Sequence, residues 1–206
     1  MNKEILIICR GGGDLATGIV HRLFRAGYQV LILETAEPAA IRRQVSFCEA
    51  VYEGTATVEG VTAERIYTAK KQAVEEVLQR GRIPLLVDPD GRSIEVLKPD
   101  VVVDAIIAKK NLGTYKEMAP LVIGIGPGFV AGKDVHLVVE SMRGHNLARI
   151  LETGSALANT GIPGNIGGYT KERVIHAAAE GYMKNIHQIG DVVQKGEEIA
   201  RIYEQM

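Results

Sequence analysis

Residues 4–34 carry an apolar run, a glycine turn, an amphipathic stripe and a second apolar run that ends in an acid, and few folds accept that succession. Ile5-Leu6-Ile7-Ile8-Cys9 is too short for a buried helix and rich in β-branched residues, so it reads as a buried parallel strand. Glycines stop it. Leu15, Ile19 and Leu23 then recur at helical spacing up to Gly27, and residues 29–34 read as a second strand, which completes a βαβ unit.

At the turn, Gly11, Gly13 and Ala16 stand at the spacing G-x-G-x-x-A. The first glycine permits a tight turn, the second lets a pyrophosphate approach the backbone, and the small third residue lets helix pack closely on strand. Free N–H groups and the helix dipole favour an anion there by ~0.3–1 kcal/mol per charge at an exposed terminus. Glu34, ending the second strand, is placed to accept hydrogen bonds from a ribose diol and to repel a 2′-phosphate, which favours an NAD-like over an NADP-like ligand. Three small residues also suit a sharp strand-to-helix turn that binds nothing. The strand, helix, second strand and terminal acid, all in place, favour the nucleotide-type reading. Val20 is larger than the small residue often found one helical turn after Ala16, so looser packing of helix on sheet is expected.

The 206 residues, 46% of them hydrophobic, suffice for a full core in one domain with an appendage. A net charge of −1, with scattered Lys, Arg, Asp and Glu, leaves no electrostatic footprint for nucleic acid or an anionic membrane. No stretch approaches the ~18 apolar residues of a membrane span, and the apolar run before the glycines is short of a signal peptide. Cys9 and Cys48 supply neither a disulfide framework nor a zinc site, and the five histidines show no close ligand spacing, so no metal site is expected. A reducing cytoplasm fits this composition.

Further along, residues 39–44 read as a short helix and 47–52 as a strand, while 55–66 form an excursion of unassigned role. Ala73, Val74, Val77 and Leu78 mark a helix over 69–80, closed by Gly81. Strands follow at 83–87, 101–108 and 121–125, with the turn Asp88-Pro89-Asp90-Gly91 and one or two helical turns at 93–97 between the first two. Strands alternating with helices at this pitch predict a doubly wound, mostly parallel α/β sheet over residues 1–168. Residues 169–206 read as a small β-rich segment, with strands at 173–179 and 181–186. Residues 189–202 resemble the first half of a biotinyl/lipoyl-type barrel-sandwich hybrid, but no lysine follows Lys195 to serve as an acceptor, which argues against a carrier. Fewer than forty residues cannot bury a core alone, so this segment docks on the main domain, swaps with a second chain in a homo-oligomer, or is cut short.

Several strand-end polar groups are candidates for chemistry. Asp14 and Asp88 read first as a helix cap and a turn residue. Asp104, inside Val-Val-Val-Asp-Ala-Ile-Ile, must be hydrogen-bonded or shifted in pKa if buried. Lys109, Lys110 and Asn111 stand where they could meet a phosphate, or form an ordinary solvated loop. Arg143, His145 and Asn146, with Glu140 before them, could combine a general base with an anion clamp. Gly126-Pro127-Gly128 could offer N–H groups to an anion or be a rigid loop. No nucleophile signature is present.

Arg10-Gly-Gly-Gly-Asp-Leu-Ala-Thr-Gly, Val103-Asp-Ala-Ile-Ile-Ala-Lys-Lys-Asn, Gly124-Ile-Gly-Pro-Gly-Phe, Arg143-Gly-His and Thr160-Gly-Ile-Pro-Gly occur in that order. The set resembles the YqeB family of accessory proteins of selenium-dependent molybdenum hydroxylase systems, and it covers nearly the whole chain. The resemblance implies a Rossmann-like protein needed for maturation of a molybdenum hydroxylase apoenzyme, distantly similar to chaperones that bind molybdenum cofactor. The expected ligand is then of dinucleotide type, NAD or a molybdopterin dinucleotide. Gly11, Gly13 and Ala16 would hold its pyrophosphate, with Asp14 and Glu34 beside them, while Lys109, Arg143 and His145 face its other end. Two alternatives stand beside this one. In the first, an NAD-dependent oxidoreductase acts on a sulfur or selenium intermediate with His145 as acid, Asp104 being the other catalytic candidate. In the second, the protein is a non-catalytic docking scaffold.

Overall fold

The computed structural model describes residues 4–161 and 166–204, so the Ile-Pro-Gly at 162–164 of the Thr160-Gly-Ile-Pro-Gly motif lies outside the described part. The chain divides into two compact units, Met1–Asn159 and Thr160–Met206.

In the first unit the chain runs through β1 (Leu6–Arg10), α1 (Asp14–Arg25), β2 (Gln29–Glu34), α2 (Ala50–Glu53), β3 (Thr55–Val58), β4 (Val61–Ile66), α3 (Lys71–Gln79) and β5 (Ile83–Val87). It continues through α4 (Ser93–Leu97), β6 (Val101–Asp104), β7 (Leu121–Ile125), β8 (Leu137–Val139) and β9 (Ile150–Leu151). One nine-stranded sheet takes the order β3-β4-β5-β2-β1-β6-β7-β8-β9. All its pairings are parallel except those of the two edge strands, β3 on β4 and β9 on β8. The chain passes from β1 to β2, out to the β3–β4 hairpin at the edge and back to β5 between β4 and β2, then crosses to lay β6 on the other side of β1. This is an α/β architecture consistent with a Rossmann-like fold.

Alternation along the strands makes two cores. Ile7 and Cys9 of β1, with Val30 and Ile32 of β2, pack under Ala16 and Val20 of α1 and under Phe47, Ala50 and Val51. Ile8, Leu31 and Leu33 point the other way and meet Val74 and Val77 of α3 and Ile94 of α4. A parallel sheet covered on both faces needs apolar residues at consecutive positions, which is why β1 and β2 read as unbroken apolar runs. Val20, expected to loosen the seat of α1, is fully buried, as is Ala16.

Three local expectations are corrected, and one unassigned stretch takes a definite form. Residues 47–52 form a 3-10 turn (Phe47–Glu49) and α2 rather than a strand, because a short buried apolar run is compatible with either and its neighbours decide. Residues 39–44 are irregular up to a 3-10 turn at Arg43–Val45, since so short a run of helix formers cannot offset the cost of nucleation. The strand expected over 101–108 stops at Asp104, whose register partner Arg10 is the last residue of β1. The 55–66 excursion is a β3–β4 hairpin turning through Glu59 and Gly60, both at positive φ as a two-residue hairpin turn requires, and it extends the sheet beyond β5.

The second unit holds a two-stranded antiparallel sheet, β10 (Tyr182–Asn185) on β11 (Ala200–Tyr203). The connection between them is closed by His187, whose ring nitrogens lie 3.5 Å from Asp191 and 3.1 Å from Glu197. The strand expected at 173–179 is absent: after a 3-10 turn at Lys171–Arg173 these residues are irregular and exposed, with no ladder partner among the described residues. No helix of the described residues is long and apolar enough to cross a membrane.

Candidate functional site

β1 delivers the chain to Gly11, which takes φ +99°, and a Cβ there would stand 2.9 Å from the Ala105 carbonyl oxygen. Glycine is therefore required for the turn to pass the end of β6. Gly12 is tight for a different reason: a Cβ would meet the Cys48 amide at 3.1 Å and Ile32 Cγ2 at 3.2 Å. Residues 46–48 are folded against this turn, with the Cys48 N–H donating to the Gly12 carbonyl, Thr17 Oγ1 donating to that same carbonyl, and the Phe47 N–H donating to Thr17 Oγ1. That clamp is invisible in the spacing of the glycines. Gly13 differs from both, because it has an ordinary φ of −65° and nothing lies within 4 Å of the place a Cβ would take.

Gly13 is also the N-cap of α1, which corrects the reading of Asp14 as the cap. Asp14 is the first helical residue; its carboxylate accepts the Leu15 N–H and pairs with the Arg42 guanidinium. Ala16 is fully buried beneath the helix. Glu34, 9% exposed at the end of β2, accepts the Gly12 N–H at 2.8 Å through Oε1 and the Thr35 N–H at 2.6 Å through Oε2. Each oxygen keeps a second lone pair for another donor.

These groups border a cleft of about 870 Å³. Arg10, Gly11 and Gly13 come from the end of β1, Glu34 and Thr35 from the end of β2, Asp88 and Pro89 from beyond β5, and Ala105, Ile106, Ile107 and Lys109 from beyond β6. The cleft thus opens at the carboxyl ends of the strands, where the strand order reverses between β1 and β6, the place where open α/β sheets bind ligands. Its volume is within the range of small-molecule sites.

The other sequence candidates separate. Lys109 lines the cleft. Asp104 does not; it is buried behind it in an ion pair with Arg10 at 3.5 Å, accepts the Thr114 hydroxyl, and accepts the Ile106 N–H. Arg143 and His145 are exposed on the connection between β8 and β9 and do not line the cleft. Glu140, their expected neighbour, is turned inward. Burial alone would raise its pKa, but hydrogen bonds from the Leu157, Met142 and Ser141 amides outweigh that and hold it below the usual carboxylate range. The stability it contributes is present in full above the unfolded-state value of ~4.3 and is lost as pH falls through the lowered folded value. Glu140→Gln should therefore lower the urea midpoint at pH 7, and the gap to wild type should close as pH falls through the carboxylate range. A gap independent of pH would show that the charge contributes nothing.

Gly126 and Gly128 are packing positions rather than an open nest: a Cβ on Gly126 would meet Ser141 Oγ at 2.5 Å, and one on Gly128 the Lys110 backbone at 2.8 Å. Both cysteines are buried. Burial, with the Asp104 and Glu34 charges adding to it, raises the Cys9 thiol, and burial with Glu34 and Glu49 pushes Cys48 up to about 12. Cys48 borders the cleft but carries no thiolate near neutral pH. Neither cysteine should react with iodoacetamide at pH 8 in the folded protein, and both should in urea, as counted by intact mass; modification of native Cys48 within minutes would contradict this. Among the described residues, no group of three His, Cys, Asp or Glu is arranged to hold a metal ion.

Over 199 residues, 97% of its length, the chain is 49% identical to a protein of Escherichia coli (strain K12) that bears the name Uncharacterized protein YqeB. The match spans 36% of that relative, so the chain corresponds to about a third of its length. No family model and no solved structure matches the chain.

Proposed function

We propose that this chain is a YqeB-type accessory protein that binds a dinucleotide-type ligand in the strand-end cleft and acts in the maturation of selenium-dependent molybdenum hydroxylases. The observation that carries the ligand reading is the opening at Gly13. Two neighbouring glycines are filled by protein, while the third, at the N-terminus of a twelve-residue helix, faces empty cleft. A pyrophosphate would sit against Gly13 and the first-turn N–H groups of α1, where backbone donors and the dipole favour negative charge. Glu34 would take a ribose diol on the lone pairs left by Gly12 and Thr35, and Lys109 would face the phosphates. NAD and a molybdopterin dinucleotide both contain that pyrophosphate. The second is the ligand to expect of a protein that serves a molybdenum hydroxylase apoenzyme in the cytoplasm.

The pathway rests on the ordered motifs and on the similarity to YqeB. In the Thr160–Met206 unit we read the β10–β11 hairpin as part of a barrel-sandwich-like module. An NAD-dependent oxidoreductase would need a proton donor at the cleft. His145, its candidate, is not among the lining residues, so binding rather than turnover is the reading adopted.

The test is native mass spectrometry of the protein purified anaerobically from cells that make molybdenum cofactor, followed by calorimetric titration with NAD and ADP. A co-purifying molybdopterin dinucleotide is the expected result. NAD alone, with turnover, would replace the proposal by the oxidoreductase. A bare chain that takes up neither nucleotide at millimolar concentration would overturn it.

A further inference from the structure

Arg10 is an unusual residue to find at the end of a buried parallel strand. It is 2% exposed, and the alternation of β1 aims it away from α1. Its Nη1 donates to Thr114 Oγ1 and stands 3.5 Å from Asp104 Oδ2. Its Nη2 donates to the Pro89 carbonyl at 3.0 Å and to the Leu112 carbonyl at 3.2 Å. One guanidinium therefore joins the turn after β5, the end of β6, and the segment that leads to the 3-10 turn at Lys116–Met118. With both terminal nitrogens so engaged, it has little left to offer an incoming anion.

What it holds is residues 105–114. Thr114 is fixed twice over: its hydroxyl donates to Asp104 while accepting from Arg10, and its backbone N–H and carbonyl both pair with the Asn111 side chain at 2.7 Å. On the far side the Lys110 backbone rests against Gly128. Between these anchors Ile107 and Lys109 take φ +58° and +63°. A β-branched residue adopts the left-handed region only where its surroundings enforce it, and such enforced conformations gather at binding sites. Ile106, Ile107 and Lys109 line the cleft together with Gly13 and Glu34.

We propose that Arg10 is a positioning residue, which fixes residues 105–114 so that Lys109 is held at the cleft to meet the anionic part of the ligand. The inference rests on the nucleotide reading of that cleft. The residue acts through Lys109 and not by touching the ligand.

Calorimetric binding of ADP to the full chain tests it, in wild type, Arg10→Lys, Lys109→Ala and the double variant, with hydrogen exchange of residues 105–114 measured on the same proteins without nucleotide. Lys109→Ala should weaken ADP by about tenfold, the scale of one charge-assisted hydrogen bond. Arg10→Lys should weaken it equally, raise exchange over 105–114 while leaving β2 protected, and make Lys109→Ala silent in the double variant. Thr114→Val, which keeps the guanidinium but removes the hydroxyl relay, should reproduce the Arg10 effect, and Thr114→Ser should restore wild-type binding. The Thr114 pair decides the matter if Arg10→Lys does not fold. Effects of Arg10→Lys and Lys109→Ala that simply add, or exchange that does not change, overturn the positioning role while the cleft remains a nucleotide site. A wild-type protein that binds no ADP overturns the nucleotide reading and this inference together.

Discussion

Gly13→Leu is expected to abolish binding of NAD and ADP and to leave the thermal midpoint within a few degrees of wild type. Nothing in the protein lies within 4 Å of the new Cβ, and the φ of −65° is open to any L-residue, so the side chain starts into open space and the backbone is not strained. Its cost to the fold is that of a poorer N-cap, below ~1 kcal/mol. Its cost to the ligand is complete, because the side chain fills the space a phosphate must enter to reach the first-turn N–H groups. Gly11→Ala supplies the contrast. It places Cβ 2.9 Å from the Ala105 oxygen at φ +99°, and should lower the midpoint markedly. Calorimetry and a melting curve on the two variants read both halves. Undiminished affinity in Gly13→Leu would remove the pyrophosphate from this turn.

Asp104→Ala should destabilise the protein by ~3–5 kcal/mol in urea, among the largest effects of any single change outside the apolar core. The side chains of Arg10 and Asp104 are 2% and 3% exposed, so removing the carboxylate leaves a guanidinium buried without its counter-ion and frees Thr114 and the Ile106 N–H as well. Replacing both partners, Arg10→Met with Asp104→Leu, should recover much of that loss, since the penalty lies in the orphaned charge and not in the absence of the pair. The exposed Asp14–Arg42 pair, whose side chains are 34% and 63% accessible, should be worth only ~0–1 kcal/mol by the same measurement. A loss below ~1 kcal/mol in Asp104→Ala would show that Arg10 finds water or another partner, and would weaken the clamp it is assigned.

The β1–α1–β2 unit was legible from the chain alone, because the features that make it are local. Unbroken apolar runs mark strands covered on both faces, the Leu15, Ile19, Leu23 stripe marks a helix, and Gly11 is demanded by a positive φ. The same locality made β5, α3 and β7 readable. It failed at residues 47–52, where a short apolar run carries no period of its own, and at 55–66, where Glu59 and Gly60 make a hairpin turn without the usual Asn-Gly signal. Ile150 and Leu151 of β9 carry no such signal either, since two residues on an edge strand are too few to show alternation.

For the candidate site, the glycine turn and the acid at the end of β2 follow from residues within one βαβ unit, close enough in the chain to be read together. Which distant groups join them depends on how the strands are laid into the sheet. The crossover that lays β6 against β1 brings Asp104 to Arg10 and Lys109 to the cleft, while the turn that follows β8 carries Arg143 and His145 away from it. The fold likewise places Ala105 and Cys48 against Gly11 and Gly12 while Gly13 stays open. Backbone preference and apolar period act over a few residues and can be read in order along a chain. Which charge is buried beside which depends on the order in which strands are laid into a sheet, and no stretch of sequence carries that alone.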